Sequence, residues 1–193
     1  RMWYSVGEEL YYASSDVPND FNNGRLVEIT GTQSSSKANP AIIREDNKLY
    51  MFLFQDGITK RVLIYSSTNG INWEYLDIAY RHVHAETVTS IGGFEIEKVG
   101  GQYLLDYEAL SENALTKKIY LASYSGSLAG DWDQNNSSKR FNMVGQNPVL
   151  EPDTSKGWDS ANVYAPSVEV VDGQYYLWYT ATGTSTDEKI GLA

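Results

Sequence analysis

Four short stretches carry side chains able to move protons, hold ions or grip hydroxyl groups. In RHVHAE, His82 and His84 stand two apart, with Glu86 close behind. A His-x-His pair on one strand face ligates a metal when a third ligand joins it. No third ligand is clear here, so no metal is expected, and His84 is placed near the mouth of a cleft where it touches a ligand. In GGFEIE, Glu95 follows a glycine pair. In LLDYEA, Asp106 and Glu108 share one face of an extended segment, because strand residues two apart point the same way. They either act as a carboxylate pair, point between sheets, or pair with Lys117 or Lys118. In GWDS, Asp159 follows Trp158 in a loop, from which it enters a cleft or caps a turn. Two carboxylates at a set separation can protonate a leaving oxygen and activate water or attack directly. Trp158, Tyr164 and Tyr80 stand at predicted loop or strand-entry positions, where an aromatic face can stack on a ligand, whereas Trp178, Tyr176 and Phe52 are expected to pack in the core between sheets.

The elements that must hold these residues are strands. In YAPSVEVVDGQYYLWYT, Asp172-Gly173 is a tight-turn signal between two apolar runs, and the second run is aromatic and β-branched. Lys189 to Ala193 adds a third strand. The same unit recurs along the chain. Residues 39–44, 49–55, 62–67 and 74–78 form four strands, and residues 94–99, 102–109, 118–124 and 140–144 form four more. Residues 2–5, 9–15 and 26–29 read as the second, third and outer strands of an opening unit. Small antiparallel meanders recurring every ~50–70 residues are the pattern of a β-propeller. A sandwich also has many short strands, but it lacks this repeated order of strand, turn, aromatic strand and Ser-ended strand. The expected fold is all-β: a propeller of four-stranded antiparallel blades over residues 1–193, with blades at 1–32 (partial), 38–80, 90–146 and 147–193 (partial).

Composition narrows the partners. The chain has 193 residues, 13% aromatic, with 15 Tyr. Its formal net charge of −10 argues against a nucleic-acid partner, since phosphate binding needs basic surface. The absence of cysteine excludes disulfide scaffolds and thiol chemistry. No apolar stretch of about 18 residues exists, so no membrane insertion is expected. No cofactor is expected either.

Several segments carry a family resemblance. NPVLEP at 147–152, GWDS at 157–160, the YAPSVEVVDGQYYLWYT stretch and KIGLA at 189–193 resemble the five-bladed propellers of glycoside hydrolase families 32 and 43 and their relatives. MWYS, YYASS and YSSTNGINW are similar to matching strands of another blade. Ser66 to Trp73 resembles an Asp-box with Thr68 in place of the usual Asp, which is a structural turn. The resemblance implies a carbohydrate ligand at a central channel, and a bacterial secreted protein, extracellular or periplasmic. It also implies that the chain is incomplete, with remaining blades elsewhere in a longer protein.

In that family the base is an Asp directly before a Pro at the start of an innermost strand, and the acid is a Glu two before a Pro. Aligning the first strands by their turns makes Pro40, Phe94 and Pro166 equivalent. The residues before them are Asn39, Gly93 and Ala165; two before are Ala38, Gly92 and Tyr164. None is a carboxylate, and an amide such as Asn39 binds a hydroxyl but cannot act as a base. Parity instead turns Glu95 and Ser167 toward the channel. The candidate catalytic residues are therefore Glu95 and Asp159, and the candidate substrate contacts are Asn39, His84, Trp158, Tyr164 and Ser167. Two functions stand: a glycoside hydrolase-like enzyme, or a carbohydrate-binding or structural propeller module that does no catalysis.

Overall fold

The computed structural model describes residues 1–17, 20–31, 39–55, 59–83, 87–113, 115–185 and 187–193. Their regular structure is strand, apart from one 3-10 turn at Ser137–Lys139. The strands in chain order are β1 (Met2–Val6), β2 (Glu9–Ala13), β3 (Arg25–Leu26), β4 (Glu28–Thr30), β5 (Ala41–Glu45), β6 (Lys48–Gln55), β7 (Arg61–Ser67) and β8 (Asn72–Arg81). Then follow β9 (Val88–Val99), β10 (Gln102–Ser111), β11 (Lys117–Tyr124), β12 (Asn142–Met143), β13 (Asn162–Val171), β14 (Gln174–Thr182) and β15 (Lys189–Leu192). They form four sheets: β1-β2-β3, then β5-β6-β7-β8 with β4 beyond β8, then β9-β10-β11-β12, then β13-β14-β15. Each sheet is an up-and-down meander, so these are the blades of an incomplete propeller.

Turn chemistry sets each meander's register. Asp46 and Asp172 adopt left-handed φ of 51° and 52° at the tips of β5–β6 and β13–β14, and Gly100 and Gly101 do the same between β9 and β10. Asp tolerates this region through local hydrogen bonding, and Gly has no Cβ to clash. Between the tips, apolar residues run unbroken where both faces of a strand are covered. In KLYMFLFQ of β6, Met51 and Leu53 pack toward the first sheet, and Tyr50 and Phe52 toward the third. All four are 2% exposed or less.

Three apolar layers join the sheets in order. Leu10, Trp3 and Tyr12 pack with Met51, Tyr65 and Trp73. Phe52, Ile64 and Tyr80 pack with Phe94, Tyr107 and Tyr120. Ile119 packs with Val163, Tyr179 and Ala181. The Asp-box-like turn locks the first layer. Ser67 Oγ accepts from the backbone N of Gly70 at 2.9 Å, and Asn69 Oδ1 accepts from Ile71 N and Asn72 N at 2.9 Å each. Both Trp3 Nε1 and Trp73 Nε1 donate to the Gly70 carbonyl, at 2.8 and 3.1 Å. Gly70 holds φ +82°, and a Cβ there would lie 2.9 Å from Trp3 Cζ2. Gly70→Ala is therefore expected to destabilise the chain by about 2 kcal/mol, through αL strain and the displaced ring. Urea denaturation measures this, and an unchanged midpoint would refute the locked turn.

The structure departs from the sequence expectations at four places. The single outer strand expected at 26–29 is two: β3 pairs with β2, and β4 lies parallel beside β8. The chain crosses between blades there, and both sheets satisfy its donors: Val27 N donates to Leu10 O at 2.8 Å and Glu28 N to Ile71 O at 2.9 Å. Strand β9 begins at Val88 rather than Phe94, since its first half pairs with the end of β10 across a bulge. Tyr80 is not a rim aromatic but is 1% exposed, with its hydroxyl 2.6 Å from that of Tyr107. Trp178 is 45% exposed rather than packed between blades, because β14 turns Tyr179 and Ala181 toward the third sheet and Trp178 faces the other way. Tyr176 is half-buried, while Phe52 lies in the core as expected.

Candidate functional site

The innermost strands β5, β9 and β13 converge. One residue with left-handed φ stands just before β5, Asn39 at 51°, and one lies within each of the other two, Gly93 at 25° in β9 and Ala165 at 49° in β13. These are the three positions that the turn alignment makes equivalent. Each is followed by the residue that begins the channel wall, Pro40, Phe94 or Pro166. Residues 40–42, 94–96 and 166–167 line an open cavity of about 360 Å3. Glu95 and Ser167 are among them, beside neighbours of the opposite parity. Asn39 is exposed beside Pro40.

Left-handed φ costs an alanine on the order of 1 kcal/mol, so something must hold Ala165. Glu108 does so. Its Oε2 accepts from Ala165 N at 2.7 Å, and its Oε1 accepts from Lys117 Nζ at 2.8 Å. One turn further on, Glu95 Oε2 accepts from Val168 N at 3.1 Å. Two carboxylates of the third blade thus clasp the bulge of β13. The ammonium of Lys117 lies 4.6 Å from the ring centre of Tyr164, and the Tyr164 hydroxyl donates to Glu188. Partial burial and the Glu188 and Glu108 carboxylates push the Tyr164 phenol up to about 12, so it stays a donor at neutral pH.

A second acidic group lies deeper. Asp106 sits directly opposite Glu95 in the β9–β10 register, is 3% exposed, and its Oδ2 has no hydrogen-bond partner. Burial first, then the charges of Glu95 and Glu97, raise its carboxyl to about 7. Glu97 is also raised, by burial and by Glu95 and Glu169. Among the described residues, no group of three His, Asp or Glu side chains is arranged to hold a metal ion.

Asp159 and Trp158 occupy different ground. Asp159 is 3% exposed and receives a long hydrogen bond of 3.5 Å from Tyr179 OH, while Trp158 stacks on Tyr179 at 5.9 Å. Neither lines the channel cavity, and Asp159 shares no hydrogen bond with Glu95. The structure therefore brings Glu95 and Ser167 together and sets Tyr164 at the neighbouring blade junction. It leaves Asp159 and Trp158 against β14. His84 lies outside the described residues; His82 packs on Tyr107 and Tyr120, with its Nδ1 2.9 Å from Tyr107 OH. Of the alternatives for Asp106 and Glu108, the pairing with Lys117 holds for Glu108. The Gly92-Gly93 step leaves room for that carboxylate.

This architecture, blades around a channel whose mouth carries the polar groups, is a glycoside hydrolase-type β-propeller. Comparison with solved structures agrees. The chain is similar to an endo-1,4-β-xylanase from Bacteroides thetaiotaomicron, with a TM-score of 0.65 and 13% identity over 99% of this chain and 69% of that one. It is similar to a thermostable family-43 glycoside hydrolase, with a TM-score of 0.60 and 15% identity over 79% of this chain and 46% of that one. It is also similar to the Bombyx mori family-32 β-fructofuranosidase BmSUC1, with a TM-score of 0.54 and 17% identity over 96% of this chain and 43% of that one. The chain spans about half the length of the first structures it matches. No family model and no curated protein matches the sequence. Identities this low establish the fold, and the fold alone.

Proposed function

We propose that this chain is part of a carbohydrate-recognising propeller that holds an oligosaccharide at its central channel. One observation supports the reading: three innermost strands line an open cavity that includes Glu95 and Ser167, with Asn39 beside it and Tyr164 at the adjoining blade junction. A carboxylate, a hydroxyl and an amide suit sugar hydroxyls, and a phenol ring suits the apolar face of a pyranose or furanose. Glu95 is the carboxylate assigned to ligand, Trp158 is a more peripheral contact, His84, which lies outside the described residues, is a further candidate contact, and the blades 1–32, 38–80, 90–146 and 147–193 act as one domain. Relatives in fold that come from bacteria, together with the acidic composition, support an extracellular or periplasmic bacterial setting.

Within these blades the non-catalytic reading is favoured over the hydrolytic one. The three equivalent left-handed positions are Asn39, Gly93 and Ala165, and no carboxylate occupies them. Asp159, the second acid of the hydrolytic reading, does not share the cavity with Glu95. The chain is expected to be retarded in gels containing arabinan or xylan. Glu95→Gln is expected to weaken that retention at least tenfold. Aryl arabinofuranoside, aryl xyloside and fructan report on hydrolysis. Turnover abolished by Glu95→Gln or Asp159→Asn would reinstate the enzyme, and absence of both retention and turnover would refute a carbohydrate ligand.

A further inference from the structure

The third blade meets its two neighbours with unlike faces. On β10, Tyr103, Leu105, Tyr107 and Ala109 join the apolar layer shared with the second blade, and on β9 so do Phe94 and Ile96. Strand alternation turns the residues between them the other way, toward the fourth blade. Those residues include Glu95 and Glu97 on β9 and Asp106 and Glu108 on β10. Strand β13 lies against them, with Val168 N donating to Glu95 and Ala165 N to Glu108. The exposed Glu169 of β13 stands close enough to add its charge to that of Glu95 against Glu97.

Little compensates this charge. Lys117 of β11 pairs with Glu108 at 2.8 Å. Lys118 pairs with Glu151, Lys156 with Asp153, and the Tyr164 hydroxyl donates to Glu188. Asp106 Oδ2 and Glu97 Oε2 are buried without a hydrogen-bond partner. Among the described residues, the apolar layer of this junction has four buried members, Ile119, Val163, Tyr179 and Ala181. Twenty join the second blade to the third, so charge weighs more heavily where the fourth blade docks.

We infer that the junction of the third and fourth blades is a proton-dependent latch, closed when Asp106 and Glu97 are protonated and loosened when they ionise. A protonated carboxyl fits a dry junction and gains an O–H to donate, whereas an ionised one adds to the repulsion among its neighbours. Burial first, then the neighbouring carboxylates, raise Asp106 to about 7 from an ordinary 3.8, and raise Glu97 as well. The docked blade thus holds protons that a hydrated, undocked junction releases. Docking is firmest below about pH 4 and weakens as pH rises toward 7. The latch bears on the channel, because β13 brings Pro166 and Ser167 to the cavity wall.

Hydrogen exchange of the whole chain, corrected for the intrinsic rate at each pH, tests this. Amides of β13 and β14 are expected to exchange at least tenfold faster than those of β6 and β7, because the fourth blade opens by itself. Their protection should fall at least tenfold between pH 5 and pH 8. Asp106→Asn should cut that fall to less than threefold, and Glu97→Gln, which alters a less buried group, should reduce it. Equal protection in the second and fourth blades would overturn the latch, since the fourth blade would then open only with the whole chain. Fourth-blade protection that does not change with pH, or a parent-like fall in both variants, would also overturn it. If Asp106→Asn does not fold, Glu97→Gln decides the matter by whether its fall is smaller than the parent's.

Discussion

Asp106→Asn is expected to stabilise the protein at pH 8 by on the order of 3 kcal/mol relative to its effect at pH 5. The carboxyl is buried opposite Glu95, and burial together with the Glu95 and Glu97 charges raises it to about 7 from an ordinary 3.8. The folded chain therefore keeps a proton that the unfolded chain releases. Between about pH 4 and 7, unfolding sheds that proton, so stability falls as pH rises, at up to ~1.4 kcal/mol per pH unit. The contribution is fully present below about pH 4, and the decline levels off above pH 7, where both states are ionised. Asparagine has no such proton and no charge to bury, and its amide can donate to the neighbouring carboxylates. Groups common to both proteins cancel in the comparison of parent with variant, which leaves Asp106. Denaturant unfolding at pH 5, 6, 7 and 8 measures it. Parallel pH profiles would mean that Asp106 is ionised and satisfied in the folded chain. Glu95→Gln should shrink the parent's slope in the same window, because it removes one of the charges that oppose ionisation.

Trp73→Ala is expected to cost about 4 kcal/mol, the usual loss for a fully buried tryptophan. Trp73 is 1% exposed, and its ring centre lies 6.3 Å from that of Trp3 in an edge-on contact. The indole N–H shares the Gly70 carbonyl with Trp3. Losing the ring leaves a cavity between the first two sheets and removes half of that shared clamp. Hydrogen exchange should then show β1 and β2 opening before the rest, since they reach the second sheet mainly through this layer. Trp73→Phe should retain more than half of the lost stability, because most of the apolar volume returns. A loss below about 1 kcal/mol for alanine would mean that other contacts join the sheets.

Most strands and the order of the meanders follow from local residue patterns. Turn residues such as Asp46, Gly100-Gly101 and Asp172 act locally, and apolar runs such as KLYMFLFQ announce a strand covered on both faces. Those signals need no knowledge of distant neighbours, so the meanders and the equivalence of Asn39, Gly93 and Ala165 were legible. Other features depend on which sheet faces which. Tyr80 and Trp178 have similar local surroundings in sequence, yet one is buried between two blades and the other lies on an open face. The parallel addition of β4 to β8 and the meeting of Glu108 with Ala165 are contacts between segments far apart in the chain. Residue type and spacing cannot specify such meetings, because they arise only when separate sheets close on one another.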